Sequence, residues 1–443
     1  GVRVQLLDTE QHRILVARGI YSGASNRGLN FAGLTVWLRC STRFGATVDL
    51  GGAAAFIVGA SWLHVEGLLV IWGPASARAV TIASGSLIVT NSSFALNGGG
   101  AISATDCGVR VTASEFHWNE AAGFGPALTV IATGAVPRAS VVVSRSLFAD
   151  NRVTSASSAY RGQPLCAGGA VLIGSMKAHT DPRPLALDVG FDDVTFRGNR
   201  LFVKYARFSP NRLLVSGGAL GIDSFTLTEL SVALVRTRFQ DNAIESSGPL
   251  PCAGSEAIEY PVAQGGAAFI GQLSIGLDKT SVLEYADGFN LLVEDSAFVN
   301  NRVDFFSWKV LGKRCMVPDV AYQTGGALSV VVGLGRRGTP AAISFARSQF
   351  DRNALRPADL HPDKTDAEQY APTGYQQFLQ LFGGAVQLHV QVKRDASLTI
   401  SFAGVTMTRN AIWGEKAANL WLAGGALSVG SQPYDCDPTS GCV

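Results

Sequence analysis

The sequence predicts an all-β chain wound into a single right-handed parallel β-helix, a solenoid of roughly nine rungs with long one-sided loops. Three observations carry that expectation. A Gly-Gly-Ala phrase recurs at Gly168, Gly217, Gly265, Gly325, Gly383 and Gly424, with an isolated copy at Gly51. A companion, Phe-x-x-Asn, recurs at Phe94/Asn97, Phe116/Asn119, Phe148/Asn151, Phe196/Asn199, Phe239/Asn242, Phe298/Asn301 and Phe350/Asn353, with Met407/Asn410 as an eighth copy carrying Met for Phe. Finally, the positions five and seven before each of these aromatics (or Met407) are apolar in all eight units, from Val89 and Leu87 to Phe402 and Ile400.

Each element of the unit has a physical reason. Spacing by two is strand periodicity, so a short strand precedes a polar turn and then an inward-pointing Phe. The seven rings and the methionine, Phe94, Phe116, Phe148, Phe196, Phe239, Phe298, Phe350 and Met407, form one core stack in this reading. Asn follows at a fixed place. It tolerates the left-handed conformation that a sharp corner needs, and stacked about 4.8 Å apart the eight side chains can bond to one another as a ladder. After a variable stretch comes Gly-Gly-Ala, followed by alternating apolar residues such as Leu220/Ile222 and Leu328/Val330. The glycines permit a tight backbone path, the small Ala fits a crowded interior, and a second strand starts there.

No such unit buries its own strands, so the units must stack. Their spacing runs from about twenty to about sixty residues, which excludes helical repeats of fixed length and suits a β-helix, whose corners accept loops of any size. A β-propeller or sandwich is the competing architecture, but it needs regular hairpin turns, and Asn97-Gly98 and Asp287-Gly288 do not recur as a pattern. Residues 1–50 read as an N-terminal cap or early rungs, 51–430 as the repeats, and 431–443 as an exit segment leading into further sequence. The opening Gly1 is compatible with a leader or larger upstream region having been removed.

Composition narrows the function classes. Hydrophobic residues make up 47% and charged ones 16%, ample for a large core. A net charge of +2 offers no attraction for nucleic acid or an acidic surface. Residues 53–75 are the most membrane-like, but His64 and Glu66 interrupt them, and they read as two short strands instead of a span, so no membrane insertion by this segment is expected. Seven cysteines lack the C-x-x-C spacing of zinc sites and permit up to three disulfides, which suits an oxidising compartment. Asn91-Ser92-Ser93 is a candidate glycosylation sequon.

The alternation of Phe-x-x-Asn with Gly-Gly-Ala-(Ile/Leu/Val) over roughly residues 51–430 resembles the repeat signature of the chlamydial polymorphic membrane proteins. That resemblance implies surface-exposed β-helical adhesins, and its motif residues are scaffold. The chain departs from the family in its long insertions and in showing no C-terminal membrane barrel. Its preference for Arg over Lys amid many Ala and Gly is similar to that of a GC-rich genome, such as that of a green alga with related repeats in surface or ciliary proteins.

With the rungs as scaffold, function is expected on the loops. The long segments 152–167, 200–216, 243–264, 302–324, 354–382 and 411–423 all leave the same corner, predicting one ridge along the rod. Tyr205, Tyr260, Trp308, Tyr322, Tyr375 and Trp413 are its candidate contact residues, the alternative being small loop cores. Cys252 and Cys315, on adjacent insertions, form one candidate disulfide, with buried free thiols as the alternative; Cys436 and Cys442 are candidates for pinning the exit. Parallel β-helices of the pectin-lyase-like kind also include polysaccharide lyases and hydrolases. The nearest thing here to a carboxylate cluster is Asp188, Asp192 and Asp193, in and beside a polar turn where solvated Asp is expected anyway. The six histidines match no ligand spacing. The sequence therefore reads as a non-enzymatic extracellular or cell-surface module, without cofactor or metal, presenting a loop ridge to a protein or glycan partner within a larger chain or assembly. A carbohydrate-active enzyme on the same scaffold is the alternative.

Overall fold

A computed structural model describes residues 3–6, 12–31, 33–155, 165–175, 186–204, 214–223, 229–247, 262–271, 288–305, 320–334, 340–357, 378–392, 397–412 and 420–430. The described chain is all-β apart from one short 3-10 turn, Ala24–Asn26. It is a parallel β-helix.

One rung shows the plan. From Gly217-Gly218-Ala219 the chain runs through Leu220–Asp223 and Glu229–Val235, turns into Arg238–Gln240, passes the Asn corner into Ala243–Ser247, and returns through Val262–Gln264 to the next Gly-Gly pair. Equivalent strands of successive rungs pair in parallel: Phe239 lies opposite Phe196 on one side and Phe298 on the other, without slippage. The result is a broad 20-stranded sheet, an 11-stranded sheet carrying the Phe residues, a 7-stranded sheet just after Asn and a 6-stranded sheet just before Gly-Gly.

The rod is longer than the motif count suggests. Eleven strands stack in the Phe sheet, against roughly nine rungs expected. The first three strands place Tyr21, Val48 and Val70 in the Phe position, so the motif is unreadable there although the apolar requirement is met. Early rungs thus lie within residues 12–50, and the strand Arg3–Leu6 pairs antiparallel with His12–Leu15 at that end. The isolated Gly51-Gly52-Ala53 is not a Gly-Gly-Ala corner. It is an exposed turn directly after Ala46–Asp49; the residue of that rung in the corner Ala position is Phe56, whose N–H donates to the Ala79 carbonyl at 2.7 Å.

Phe94, Phe116, Phe148, Phe196, Phe239, Phe298 and Phe350 are fully buried, with ring centroids 4.7–5.4 Å apart and planes within 13° of parallel. Each buried ring stabilises the fold by roughly 2–3 kcal/mol through apolar area, and the offset stack adds about 1 kcal/mol per pair. Met407 continues the stack half-buried.

Beside it runs the Asn ladder, through Asn97, Asn119, Asn151, Asn199, Asn242, Asn301, Asn353 and Asn410. From Asn97 to Asn353, each side-chain amide donates to the Oδ1 of the next Asn at 2.8–3.0 Å. In the middle of the file Asn151 donates to Asn199 at 3.0 Å and Asn199 to Asn242 at 2.9 Å. From Asn119 onward, the second N–H of each amide returns to a Phe carbonyl one rung back: Asn151 to Phe116 at 3.0 Å, Asn199 to Phe148 at 2.9 Å, Asn242 to Phe196 at 3.0 Å. Every interior Oδ1 also accepts the backbone N–H of the preceding Asn, so a buried polar file is satisfied throughout.

The expected conformation of these Asn residues is corrected. The left-handed residue of the corner is the one before the Asn: Asp150 (φ 56°) before Asn151, Gly198 (φ 65°) before Asn199, Asp241 (φ 57°) before Asn242 and Arg352 (φ 55°) before Asn353. Asn151, Asn199 and the rest of the ladder lie outside that region. Asn is required there for its side chain, because Asn151 and Asn199 have no exposure and only an amide supplies both the donors and the acceptor that the site demands.

A further ladder lies outside the two motifs. Ser92, Ser114 and Ser146, and then Thr237, Ser296 and Ser348, stand two residues before the Phe, and the hydroxyls of Ser114, Ser146, Ser296 and Ser348 accept the backbone N–H of the ladder residue one rung before at 3.0–3.2 Å. Val194 interrupts it, leaving Ser146 facing a side chain with no acceptor. Val194→Thr is expected to restore the acceptor and to donate to the Asp192 carbonyl, as Thr237 donates to that of Val235 at 3.1 Å. A gain of about 1 kcal/mol, read as a higher melting temperature, is the expected outcome; a loss would mean that the hydroxyl is buried unsatisfied there.

Candidate interaction face

The six long segments are not loops throughout. Each starts as a strand after Asn (Arg152–Ser155, Arg200–Lys204, Ala243–Ser247, Arg302–Phe305, Ala354–Pro357, Ala411–Ile412) and ends as a strand before Gly-Gly (Leu165–Ala167, Leu214–Ser216, Val262–Gln264, Val320–Thr324, Phe378–Phe382, Leu420–Ala423). These roots stack in parallel register from rung to rung. All six insertions therefore leave and return along the same two sheets.

The roots have their own buried zone, outside the main core. Val153, Leu201, Ile244, Val303 and Leu355 on one sheet, and Cys166, Val215 and Ala263 on the other, are all buried, and the two sheets touch. Leu172, Phe269 and Val331, on the outward side of the broad sheet, are buried as well. The signal in the sequence is an apolar residue two places after each Asn, obscured because each strand is so short.

The expectation of a single series of insertions is also corrected. A second series interrupts the broad sheet between Ser175 and Ala186, Asp223 and Glu229, Gly271 and Gly288, Leu334 and Pro340, and Val392 and Ser397. In earlier rungs the same two strands are continuous, as in Val80–Thr90 and Ile102–Thr112.

Charge on the post-Asn sheet is paired across rungs. Glu245 Oε1 accepts from Arg200 and Arg302, each at 2.6 Å, and Arg302 also bonds Asp304. Burial pushes the Asp304 carboxyl up, opposed by the charge and hydrogen bond of Arg302. The Arg152 guanidinium lies 4.5 Å from the ring centre of Phe202.

Elsewhere, Asp188 accepts two bonds from Arg138 at 2.5 and 3.1 Å, Asp192 pairs with Arg236, and Asp193 is left-handed at φ 55°. Arg347 bridges Glu294 and Asp295, and its hydrogen bond holds the Asp295 carboxyl below its ordinary value. Among the described residues, no group of three His, Cys, Asp or Glu is placed to hold a metal ion.

Of the residues expected on the ridge, Tyr322 lies on Val320–Thr324, paired with Val262 and Gln380. Tyr205, Tyr260, Trp308, Tyr375 and Trp413 lie outside the described residues, as do Cys252, Cys315, Cys436 and Cys442. The described thiols Cys40, Cys107 and Cys166 are buried and free. Burial pushes the Cys107 thiol up to about 11, and Cys166 higher still. Asn91 sits half-buried in a turn at φ 49°, with Ser93 of its sequon buried. Among the described residues no helix is long and apolar enough to cross a membrane.

Fold and face together define a parallel β-helical repeat protein whose later rungs carry insertions at two places, one of them the stacked roots between Asn and Gly-Gly. No protein-family model, curated protein or solved structure matches the chain.

Proposed function

We propose that the chain is a non-enzymatic structural or adhesion module of an extracellular or cell surface, ciliary surfaces included, which presents its insertions to a protein or glycan partner within a larger assembly. The observation that carries this reading is the register of the roots. Twelve short strands in two stacked sheets, with their own buried zone, hold six insertions in file along one side. A scaffold that rigid holds many weak contacts at fixed spacing, so their effects multiply once the first has formed. The resemblance of the paired motif to chlamydial surface adhesins points the same way.

The test is adhesion under flow of beads coated with the chain, against cells and immobilised surface glycans and proteins. In a variant, residues 248–261, 306–319 and 358–377 are each replaced by a short Gly-Ser linker. Adhesion is expected to fall at least tenfold while the melting temperature changes by only a few degrees, because a change in the length of a connection between fixed strands costs little. Undiminished adhesion in the variant, or none in the parent chain, would remove the basis for this reading.

A further inference from the structure

The corner residue before each Asn is left-handed, and most rungs place there a residue suited to the conformation or to water: Asp150, Gly198, Asp241, Asn300, Arg352 and Arg409. Two rungs do not. Trp72 (φ 58°) and Trp118 (φ 51°) are held in this conformation and remain 51% and 55% exposed. Left-handed backbone costs a bulky residue about 1–2 kcal/mol, and a half-exposed indole recovers little of that by burial. Folding alone does not explain either Trp.

Their arrangement suggests what does. Leu96 occupies the same corner in the intervening rung, at φ 58°, so the three corner positions form a line along the rod. Two rung steps separate the two Trp backbone positions by about 9.6 Å, close to the length of one disaccharide unit in an extended β-linked polysaccharide. Polar groups flank the line: His117 leans on Trp118 with ring centres 5.5 Å apart and bonds Glu115 at 3.1 Å. Glu115 also accepts from Arg43 at 2.7 Å, and Arg43 lies over the ring of Phe44. With Arg43 so committed, the patch favours neutral sugars over uronates or sulfates. The two indoles together offer roughly 150–250 Å², far below the roughly 800 Å² per partner of a stable protein interface. The connection after Asn97 is only Gly98-Gly99-Gly100, so the middle rung of the line carries no long insertion.

We infer that the Trp72–Leu96–Trp118 corner binds an extended, neutral, β-linked polysaccharide, with the apolar face of alternate sugars on the two indoles. The site lies in rungs without the long insertions and goes beyond the function proposed above. Isothermal titration of the full chain with cellohexaose and with chitohexaose tests it. One of them is expected to bind saturably, each of Trp72→Ala and Trp118→Ala to weaken binding about tenfold, and the double variant to abolish it at unchanged melting temperature. Alanine is tolerated in this conformation, as Ala113 at φ 51° shows. The insertion-shortened variant should bind the oligosaccharide undiminished, which separates this site from the ridge. Failure of both sugars to bind, or binding that survives in the double variant, would sink the proposal. So would a double variant that changes only self-association in ultracentrifugation, since the line would then be a contact between copies.

Discussion

Replacing Asn242 by aspartate is expected to destabilise the rod by about 4 kcal/mol or more at neutral pH, although the side chain hardly changes shape. The amide of Asn242 donates to Phe196 O and to Asn301 Oδ1, both at 3.0 Å, in a site with no exposure. Aspartate puts an acceptor oxygen against both of these oxygens and buries a charge. Protonation supplies one donor, so the folded chain raises the pKa of this carboxyl above its unfolded value near 3.9. The folded state then holds more protons between the two values, and stability falls as pH rises through that window. Asn242→Ala carries no charge, so its cost of about 3 kcal/mol should not depend on pH through this site. At the half-buried Asn410 the same change to aspartate removes a single described donation, to Phe350 O at 2.9 Å, and should cost about 1 kcal/mol. Urea denaturation from pH 4 to 8 checks all three variants. Equal losses at Asn242 and Asn410, or a pH-independent aspartate variant, would show that the ladder is not what the Asn residues are kept for.

Gly218→Ala should be as damaging for a different reason. A Cβ at Gly218 would stand 1.9 Å from the carbonyl oxygen of Gly266, the equivalent glycine one rung on, and that oxygen is backbone held in a sheet-like register. The rungs must part locally, at a cost of roughly 3–5 kcal/mol or the loss of soluble protein. The first glycine of the pair fails on conformation as well: Gly217 is at φ +68°, with a would-be Cβ 2.0 Å from Leu220 O. The comparison that isolates the cause lies in the last described pair. Gly425 is the counterpart of Gly218, yet a Cβ there meets nothing within 4 Å, whereas Gly424 keeps φ +69° and a 2.1 Å approach to Leu427 O. Gly425→Ala should therefore shift the melting temperature by less than about 2 °C, and Gly424→Ala should lower it clearly. Equal damage from Gly218→Ala and Gly425→Ala would rule out rung contact as the reason for the second glycine.

These two variants touch the motifs that are legible without coordinates, and their physics explains why. A stack repeats each residue's environment every rung, so a requirement imposed once is imposed at Phe116, Phe148, Phe196 and their counterparts alike. The same holds for Asn151 and Asn199, whose place in the file is readable from spacing, while the backbone conformation of their corner is not: the left-handed residues beside them are Asp150 and Gly198. The hydroxyl ladder from Ser92 to Ser348 is almost as regular, yet Val194 breaks it and Val405 ends it, and Ser before a turn reads as ordinary turn composition. Tyr21, Val48 and Val70 hide three rungs because the interior there asks only for an apolar side chain.

Trp72 and Trp118 give no signal in the sequence because a left-handed corner cannot be seen in residue types when only some of its occupants are Gly, Asn or Asp. The root strands are hidden by length, since two to five residues carry too little alternation to stand out beside insertions several times longer. What the sequence by itself determined was the repeating part of this protein: parallel stacking, the Phe core, the Asn file and the paired glycines, each forced by identical local surroundings in successive rungs. Only the tertiary structure decided the rest, namely which residue turns the corner, where the rungs begin, that insertions arise at two places in the rungs from Asn151 onward, and that two exposed Trp residues share one line of corners. Those depend on neighbours tens of residues away in the chain, brought side by side only when the rungs close on one another.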